Sequence, residues 1–294
     1  MRVKTSLPKA TFCIPFFPDS KDRFRNINLL LDYLEFHFCD FKVIIYYTEN
    51  FQLKGSEENV CNLVSRCSKN SNYIFKDTDG DFITDDGIFH RTACLNAMYG
   101  ASKTKVVINY DCDILLNPYQ YIDAYNLVLR KSTQIVYPYY QKVYKVHPYL
   151  LKRIRQFYKY DNIGEIISTR CKYRGEGEFF HLDKKLGLIP NEGCDWDSYG
   201  SAVFMGRTAI QYSGGENSNF IGWGAEDHER YYRFKKLNLP IDRTEGSVYH
   251  IEHKRNKNCS DKNPYFKRND EEFDKIKSMN VEELEDYISK GFKE

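Results

Sequence analysis

The sequence predicts an α/β domain in which helices flank a mostly parallel sheet. Short apolar runs alternate with amphipathic segments through the first half of the chain, which is the pattern that β-α-β units produce. The chain has 294 residues, of which 41% are hydrophobic, so it can fill a sizeable core. It contains no internal repeat and no low-complexity linker. We therefore expect one domain over residues 1–294.

The elements are predicted in chain order from the spacing of apolar residues. Strands are expected where these residues run together, at 10–16, 42–47, 105–110, 134–137 and the first part of 201–212. Helices are expected where they recur at helical spacing, at 26–38, about 57–67, 89–102, beyond Pro118, the second part of 201–212, and 281–292. The segment 137–197 is rich in glycine, tyrosine and charge, and we predict an irregular insertion that folds over the site.

Composition excludes several classes of protein. A net charge of +2, from 43 basic and 41 acidic residues, gives no overall field that attracts nucleic acid or an anionic membrane. No stretch reaches the roughly 18 to 20 apolar residues that a membrane span needs. The nine cysteines are scattered without a CxxC pair, which predicts buried, reduced thiols in a reducing compartment. We expect no nucleic-acid partner and no transmembrane segment.

Two aspartates come directly after the predicted strand 105–110. Asp111 and Asp113 therefore lie at the carboxyl end of a central strand, where open α/β sheets bind their ligands. Other Asp-x-Asp triplets occur in the chain, so the triplet alone is a weak signal, and its position after an apolar strand sets it apart. Two carboxylates that point into one cleft repel each other unless a cation lies between them.

A pair of histidines offers further metal ligands. His250 and His253 are three residues apart, which predicts both imidazoles on one side of a helical turn. Two imidazoles together with the carboxylate of Asp113 leave coordination positions open for phosphate oxygens. This set suits Mn²⁺ or a related divalent ion better than a closed zinc site. Taken alone, the His-x-x-His pattern is also common on surfaces that bind nothing.

The stretch "GWGAEDHE" at 222–229 combines the groups that bind sugars. Its glycines allow a tight turn and a close approach to a ligand. Trp223 offers a flat apolar face, and Glu226 and Asp227 offer hydrogen-bond acceptors for sugar hydroxyls. One carboxylate can position a hydroxyl while the other removes its proton as a general base. The same two acids also favour the start of a helix through its dipole.

These motifs together resemble the beta-1,4-galactosyltransferases and related inverting enzymes of the GT-A fold, including bacterial chondroitin-polymerase-type transferases. Four blocks occur in the order of that family: "IPF" at 14–16, "FHRTACLNAMYGA" to "VVINYDCDILLNP" between 89 and 118, "GWGAEDHE" at 222–229 and "HIEHKRNKN" at 250–258. The resemblance covers most of the chain apart from roughly 137–197 and the C-terminal tail. It implies a GT-A, Rossmann-like fold with a mixed sheet flanked by helices.

The resemblance also implies how a nucleotide-sugar donor is bound. Phe16 would belong to the floor of the nucleotide pocket, Phe89 would contact the base, and Arg91 the nucleotide. Asp111 would hold the ribose or the donor sugar. The donor would be a UDP-sugar, so the transferred group would be a hexose or a pentose.

Metal binding and catalysis follow from the same resemblance. The implied ligands of Mn²⁺, or of Mg²⁺, are Asp113, His250 and His253. Trp223 and Glu226 would contact the sugars, and Asp227 would be the base that deprotonates the acceptor hydroxyl. The implied reaction is a single displacement that forms a β-glycosidic bond on a glycan, glycolipid or glycoprotein.

The implied division of the chain has four parts. Residues 1–118 would mainly bind the nucleotide, 137–197 would form an insertion or lid, 198–260 would form the acceptor and catalytic half, and 261–294 a C-terminal helical tail. Animal members of the family carry a membrane anchor and lumenal disulfides, whereas this sequence shows neither. We therefore expect a cytoplasmic enzyme of bacterial or viral type.

Three other functions stay open. A retaining GT-A transferase shares the metal site but forms the opposite anomer and tolerates Asp227→Asn. A nucleotidyltransferase also uses strand-end aspartates with a metal, without the histidine pair. A non-catalytic carbohydrate-binding module or pseudoenzyme needs Trp223 but not the metal ligands.

Overall fold

The strands follow the predicted order and add several short ones. The computed structural model describes residues 4–48, 57–130, 133–140, 143–158, 198–254 and 262–293. The strands within these ranges are β1 (Thr5–Ser6), β2 (Ala10–Phe16), β3 (Phe38–Cys39), β4 (Lys42–Tyr47), β5 (Tyr73–Asp77), β6 (Val106–Tyr110), β7 (Ile114–Leu116), β8 (Ile135–Tyr137), β9 (Val143–Val146), β10 (Ala202–Gly206), β11 (Ile241–Arg243) and β12 (Val248–Ile251).

The helices alternate with these strands. In the described parts of the chain they are α1 (Lys21–His37), α2 (Glu57–Ser68), α3 (Arg91–Ala101), α4 (Pro118–Leu129), α5 (Leu151–Tyr158), α6 (Arg207–Tyr212), α7 (Glu226–Lys236), α8 (Phe266–Ser278) and α9 (Val281–Ser289). Helix α4 begins where the sequence predicts, because Asn117 caps it in a capping box with Gln120 and proline occupies its first turn.

The main sheet is mixed and has the order β11-β8-β10-β6-β2-β4-β5. Strands β6, β2, β4 and β5 run parallel, whereas β10 runs antiparallel to both β6 and β8. Every residue of β2 and β6 is buried, as expected for central strands covered on both faces. Because β10 is antiparallel, its first residue pairs with the last residue of β6, Ala202 with Tyr110. The segment just before β10 therefore lies at the carboxyl edge of the parallel strands.

Two hydrophobic cores cover the two faces of this sheet. Alternate residues of β2 point to opposite sides, so Phe12 and Ile14 join the core beneath α1 and α4, whereas Cys13 joins the core beneath α3. Helix α7 packs on the second face through Phe234. The result is a three-layer α/β arrangement, as the sequence predicts.

A second, three-stranded sheet has the order β7-β12-β9. Strand β7 begins directly after Asp113, and β12 pairs with it antiparallel so that His250 lies opposite Ile114. The backbone N–H of Ile251 donates to the carbonyl oxygen of Asp113 at 2.7 Å. This small sheet therefore carries the histidine pair to the end of β6.

Several predicted boundaries are wrong for identifiable reasons. Helix α1 begins at Lys21 instead of residue 26, because four of its first five residues are charged and lack the apolar spacing used for prediction. Helix α3 begins at Arg91, since Phe89 forms a bridge with Ile83. The predicted irregular insertion 137–197 contains β9, a 3₁₀ turn at Pro148–Leu150 and α5. The remainder of that segment, 159–197, lies outside the described residues.

Four of the six described cysteines are buried, as predicted, and all six are free: Cys13, Cys39, Cys61, Cys67, Cys94 and Cys112. Burial raises the pKa of the Cys67 thiol to about 11 and that of Cys94 to about 12. Cys61 is exposed, contrary to the prediction. Within the described ranges, the helices are all too short or too polar to cross a bilayer.

The C-terminal helices form a third hydrophobic cluster with the end of α7. Leu284 is fully buried there, together with Leu237 and Ile276. The sequence predicts α9 but misses α8, because only Asn269 and Ile276 of that helix are buried and the rest of it is strongly polar. Helices α8 and α9 are therefore part of the folded unit.

Shortening a buried side chain of α9 should destabilise the protein far more than shortening an exposed one. We expect Leu284→Ala to lower the free energy of unfolding by about 2 to 5 kcal/mol, since it opens a cavity. The matched control is Val281→Ala on the same helix, where the side chain is 41% exposed and the loss should be about 0.5 kcal/mol or less. Denaturant unfolding of the full chain measures both, and equal losses would contradict the packing of α9.

Candidate active site

One cleft of about 410 Å³ lies at the carboxyl edge of the parallel strands. Its walls come from the ends of β2 and β6, the segment before β10, the starts of α1, α3 and α7, and strand β12. The predicted site residues that line it are Phe89, Arg91, Asp111, Asp113, Trp223, Glu226, Asp227, His250 and His253. Phe16 is not among them, because its ring is fully buried against Phe24 and Tyr47. Its neighbours Pro15 and Phe17 line the cleft instead.

The first carboxylate of the cleft, Asp111, is paired with an arginine. Arg91 Nη2 donates to Asp111 Oδ1 at 2.6 Å and to Asn109 Oδ1 at 3.1 Å. Burial and the nearby charges of Asp113 and Asp227 raise the pKa of Asp111, although Arg91 opposes them. The other guanidinium nitrogen, Arg91 Nη1, is buried without a hydrogen-bond partner in the described part of the chain. This unpaired donor belongs to a residue that lines the cleft.

Asp113, His250 and His253 form what we call the metal cluster. One ligand atom of each lies within 4.8 Å of the others. His253 Nε2 is 3.2 Å from Asp113 Oδ2, and His250 Nε2 is 3.8 Å from Asp113 Oδ1. The prediction that a helical turn aligns the histidines is wrong, because His250 lies on strand β12 and His253 follows it. Strand pairing with β7 brings them to Asp113.

The chemistry of the metal cluster fits a divalent cation. The Nδ1–H of His253 donates to the carbonyl oxygen of Lys254 at 2.9 Å, which leaves Nε2 as the free acceptor facing Asp113. Burial, followed by the charge of Arg23, lowers the pKa of His253 and favours the neutral imidazole that binds metals. Two imidazoles and one carboxylate suit Mn²⁺ and similar ions and leave coordination positions for a ligand.

An arginine that the sequence prediction missed contacts the same carboxylate. Arg23, in the first turn of α1, ion-pairs through Nη1 with Asp113 Oδ2. Its Nε is 3.4 Å from Asp19 Oδ1. Burial alone would raise the pKa of Asp113, but Arg23 and the two histidines outweigh it and lower that pKa.

The Gly-Trp-Gly loop, residues 222–224, is clamped by two asparagines of the C-terminal region. Asn263 Nδ2 donates to the carbonyl oxygens of Ile221 at 2.8 Å and Trp223 at 2.6 Å, and Asn269 makes similar contacts. A Cβ on Gly222, where φ is +67°, would lie 2.7 Å from Asn263 Nδ2. Only glycine fits this approach. Trp223 stacks on Phe266 at 5.5 Å and is 40% exposed at the cleft.

Asp227 is held by a buried arginine. Arg230 Nη2 donates to Asp227 Oδ1 at 2.7 Å, and Arg230 Nη1 donates to the carboxylate of Glu216 at 3.1 and 3.2 Å. The Arg230 and Glu216 side chains are 1% and 2% exposed, so this is an interior ion pair. The other oxygen of Asp227 faces Gly200, where a Cβ would lie only 2.8 Å away. The carboxylate is therefore fixed in orientation at the cleft wall.

Glu226 differs from its neighbour because it makes no ion pair among the described residues. Burial and the charge of Asp227 raise its pKa to about 8. Its Oε2 accepts a hydrogen bond from the N–H of Gly224 at 3.0 Å. At pH 7 Glu226 is therefore mostly a neutral acid that can donate a hydrogen bond.

Aromatic side chains complete the walls. Phe17 stacks on Phe89 with centroids 5.3 Å apart and an interplanar angle of 11°. Tyr199 stacks on Tyr231 at 3.8 Å and meets His228 edge to face. Phe17, Tyr199 and His228 are cleft residues that the sequence prediction missed.

Comparisons with known proteins find one matching family model and a similar solved structure. Residues 194–254, which carry Glu226, Asp227 and the histidine pair, match the family model described as the N-terminal domain of galactosyltransferase. The fold is similar to that of the mannosyltransferase PcManGT from Pyrobaculum calidifontis, solved in complex with GDP-Man and Mn²⁺, with 13% identity and a TM-score of 0.50. That match supports a GT-A fold. No curated protein sequence matches the chain significantly.

The structural match covers different shares of the two chains. The structural match covers 84% of this chain but only 58% of the mannosyltransferase, so the chain spans little more than half of that protein. The two comparisons therefore show a fold of the GT-A type and a likeness of residues 194–254 to a galactosyltransferase domain, and the Asp/His cluster beside that segment could hold a metal.

The raised pKa of Glu226 predicts a pH-dependent stability. The pKa of Glu226 is about 8 in the folded protein, whereas its ordinary pKa is 4.5. The folded protein therefore holds this proton more tightly than the unfolded chain, and the free energy of unfolding falls as the pH rises from 4.5 to about 8. Glu226→Gln cannot lose this proton. Its thermal midpoint relative to wild type should therefore rise by about 6 °C between pH 5 and pH 9.

Thermal melts of wild type, Glu226→Gln and Glu245→Gln over this pH range test the prediction. Glu245 is exposed outside the cleft, and its variant should run parallel to wild type at every pH. A difference between Glu226→Gln and wild type that does not change with pH would show that Glu226 is ionised in the folded protein.

Proposed function

We propose that this chain is a metal-dependent glycosyltransferase that moves a sugar from a UDP-sugar to a hydroxyl group of a glycan, with inversion at the anomeric carbon. The observation that carries the proposal is that the metal cluster and the ion-paired carboxylate of Asp227 line one cleft. The metal cluster suits a divalent cation, and the carboxylate of Asp227 suits a general base. The match to a galactosyltransferase domain covers Asp227 and both histidines.

Binding of a nucleotide-sugar is supported by two features at the donor side of the cleft. The stacked rings of Phe17 and Phe89 offer an apolar surface for a base. The unpaired N–H of Arg91 and the carboxylate of Asp111 offer a donor and an acceptor for phosphate and sugar oxygens. UDP is proposed from the resemblance to the galactosyltransferases. GDP-mannose is the alternative donor, because the structurally similar mannosyltransferase was solved with it.

A sugar acceptor is supported by the residues around the Gly-Trp-Gly loop. The exposed indole of Trp223 can pack against the C–H face of a sugar ring. Glu226, neutral at pH 7, can donate a hydrogen bond to a sugar oxygen, whereas an ionised carboxylate could only accept one. The acceptor is therefore proposed to be a glycan, free or carried on a lipid or protein.

The proposed reaction is a single displacement. A divalent cation held by the metal cluster would offset the negative charge of the departing diphosphate. Asp227 removes the proton of the acceptor hydroxyl. At the same time the oxygen of that hydroxyl bonds to the anomeric carbon, and the bond from that carbon to the diphosphate oxygen breaks. Arg230 keeps Asp227 ion-paired and oriented before the proton arrives. An α-linked donor then gives a β-glycoside.

The parts of the chain divide this work in the proposal. Residues 1–118 mainly bind the nucleotide, and residues 198–260 supply the acceptor site and the base. Helix α8 in the tail 261–294 supports Trp223 through Asn269 and Phe266. The role of 137–197 as a lid stays a prediction.

Nucleotide release from a panel of donors tests the proposed function. The panel contains UDP-galactose, UDP-glucose, UDP-xylose, the N-acetyl UDP-hexosamines and GDP-mannose, each with Mn²⁺, Mg²⁺ or EDTA. We expect UDP to be released from one UDP-sugar in the presence of the metal. EDTA should abolish this release, and the Asp113→Asn variant should not show it. Asp227→Asn should lower the rate by about 10² to 10⁴, as loss of a general base does, while UDP still binds.

The anomer of the product separates the remaining alternatives. A β-linkage from an α-linked donor, seen by NMR, agrees with inversion, whereas an α-linkage and an active Asp227→Asn would favour a retaining enzyme. Release from GDP-mannose alone would replace the donor in the proposal. No release, together with no binding of UDP or GDP by calorimetry, would contradict a transferase and favour a carbohydrate-binding module.

A further inference from the structure

Arg23 and the metal cluster share one carboxylate oxygen. Arg23 Nη1 ion-pairs with Asp113 Oδ2, which is also the oxygen 3.2 Å from His253 Nε2. The Asp113 side chain is only 3% exposed and that of Arg23 only 15%, so water screens this contact poorly. Arg23 therefore places a permanent positive charge at the position where a cation would coordinate Asp113.

A guanidinium and a divalent cation compete for this carboxylate. Arg23 Nη1 already contacts Asp113 Oδ2, and two cations a few ångströms apart repel strongly away from bulk water. The other oxygen of Asp113 lies 3.8 Å from His250 Nε2, so a cation bound by all three members of the metal cluster would also lie close to the Arg23 guanidinium. Metal binding is therefore weakened while Arg23 stays paired with Asp113.

A nucleoside diphosphate offers Arg23 an alternative partner. Arg23 lines the cleft beside Asp113, so its guanidinium can turn toward a ligand there and gives up its 3.4 Å contact from Nε to Asp19 when it does. Guanidinium groups bind phosphate oxygens in the same forked geometry that they use for carboxylates. A diphosphate in the cleft would exchange the Arg23–Asp113 pair for an Arg23–phosphate pair.

We propose that Arg23 couples metal binding to donor binding. Without the diphosphate, Arg23 pairs with Asp113 and weakens the affinity for the divalent ion. With the diphosphate bound, Arg23 turns to the phosphates and Asp113 is released to the metal. The inference rests on the proposed function and adds a residue that controls when the metal site is available.

The experiment measures Mn²⁺ affinity of the full chain by EPR or calorimetry, with and without UDP. In wild type, UDP should tighten Mn²⁺ binding strongly, and by linkage Mn²⁺ should tighten UDP binding by the same factor. In Arg23→Gln, Mn²⁺ alone should bind about tenfold more tightly because the competing charge is gone. The factor by which UDP tightens Mn²⁺ binding should fall about tenfold.

An arginine outside the cleft provides the matched control. Arg66 of α2 ion-pairs with Asp32 and Glu35 on the same helix α1 and does not line the cleft. Arg66→Gln should keep both wild-type affinities. Arg23→Met, which keeps the apolar stem, serves as a second variant if Arg23→Gln does not fold, with the same expected changes.

The outcomes separate this inference from the proposed function. Unchanged or weaker Mn²⁺ binding in the Arg23 variants, with wild type binding both ligands, would overturn the coupling and leave the transferase proposal standing. Wild type that binds neither Mn²⁺ nor UDP or GDP would overturn both. Asp113→Asn should lose Mn²⁺ binding in every condition, and if it does not, the measured ion binds elsewhere and the coupling is wrong.

Discussion

Repulsion among the carboxylates in and beside the cleft is the constraint on which the cleft depends. Several acidic side chains lie in or beside it within the described residues: Asp111, Asp113, Glu216, Glu226 and Asp227. Three arginines with largely buried side chains balance them: Arg23, Arg91 and Arg230. Glu226 alone among these acids lacks an arginine partner, and its proton is retained instead, with a pKa of about 8. Removing one charge from such an interior network leaves its partner uncompensated, which costs more than losing a surface ion pair.

The sheet topology brings these groups together from distant parts of the chain. Parallel β2 and β6 end at one edge, and antiparallel β10 starts there, with the N–H of Asp111 donating to the carbonyl oxygen of Ser201 at 2.9 Å. Strand β12 adds the histidines through its pairing with β7. Helix α7 starts at the same edge, so its first turn presents Glu226 and Asp227 to the cleft. The proposed donor and acceptor sides therefore meet where the strands end.

Residue type and order in the chain made much of this predictable. Continuous apolar runs identified β2, β4 and β6, and the position after β6 singled out Asp111 and Asp113. His250 and His253 were selected for their chemistry, and they reach Asp113 although the expected helical turn is a strand. The Phe16 side chain faces the core, because alternation along β2 turns it away from the cleft.

The sequence could not reveal the partners of the arginines. Arg23 and Arg230 look like surface residues of amphipathic helices, since their carboxylate partners Asp113 and Glu216 come from other elements. The polar sequence of α8 likewise hid its packing against the Gly-Trp-Gly loop. Such pairings depend on tertiary contacts, which local spacing does not encode.

The central claim is that Asp113, His250 and His253 together hold a divalent cation beside Asp227, the proposed base. Anomalous diffraction at the manganese absorption edge, from crystals grown with Mn²⁺ and UDP, tests it most directly. The account predicts one strong peak within coordination distance of all three side chains, with a phosphate oxygen of UDP as a further ligand and Arg23 turned away from Asp113. A peak elsewhere in the cleft, or bound UDP with no peak at this cluster, would contradict it.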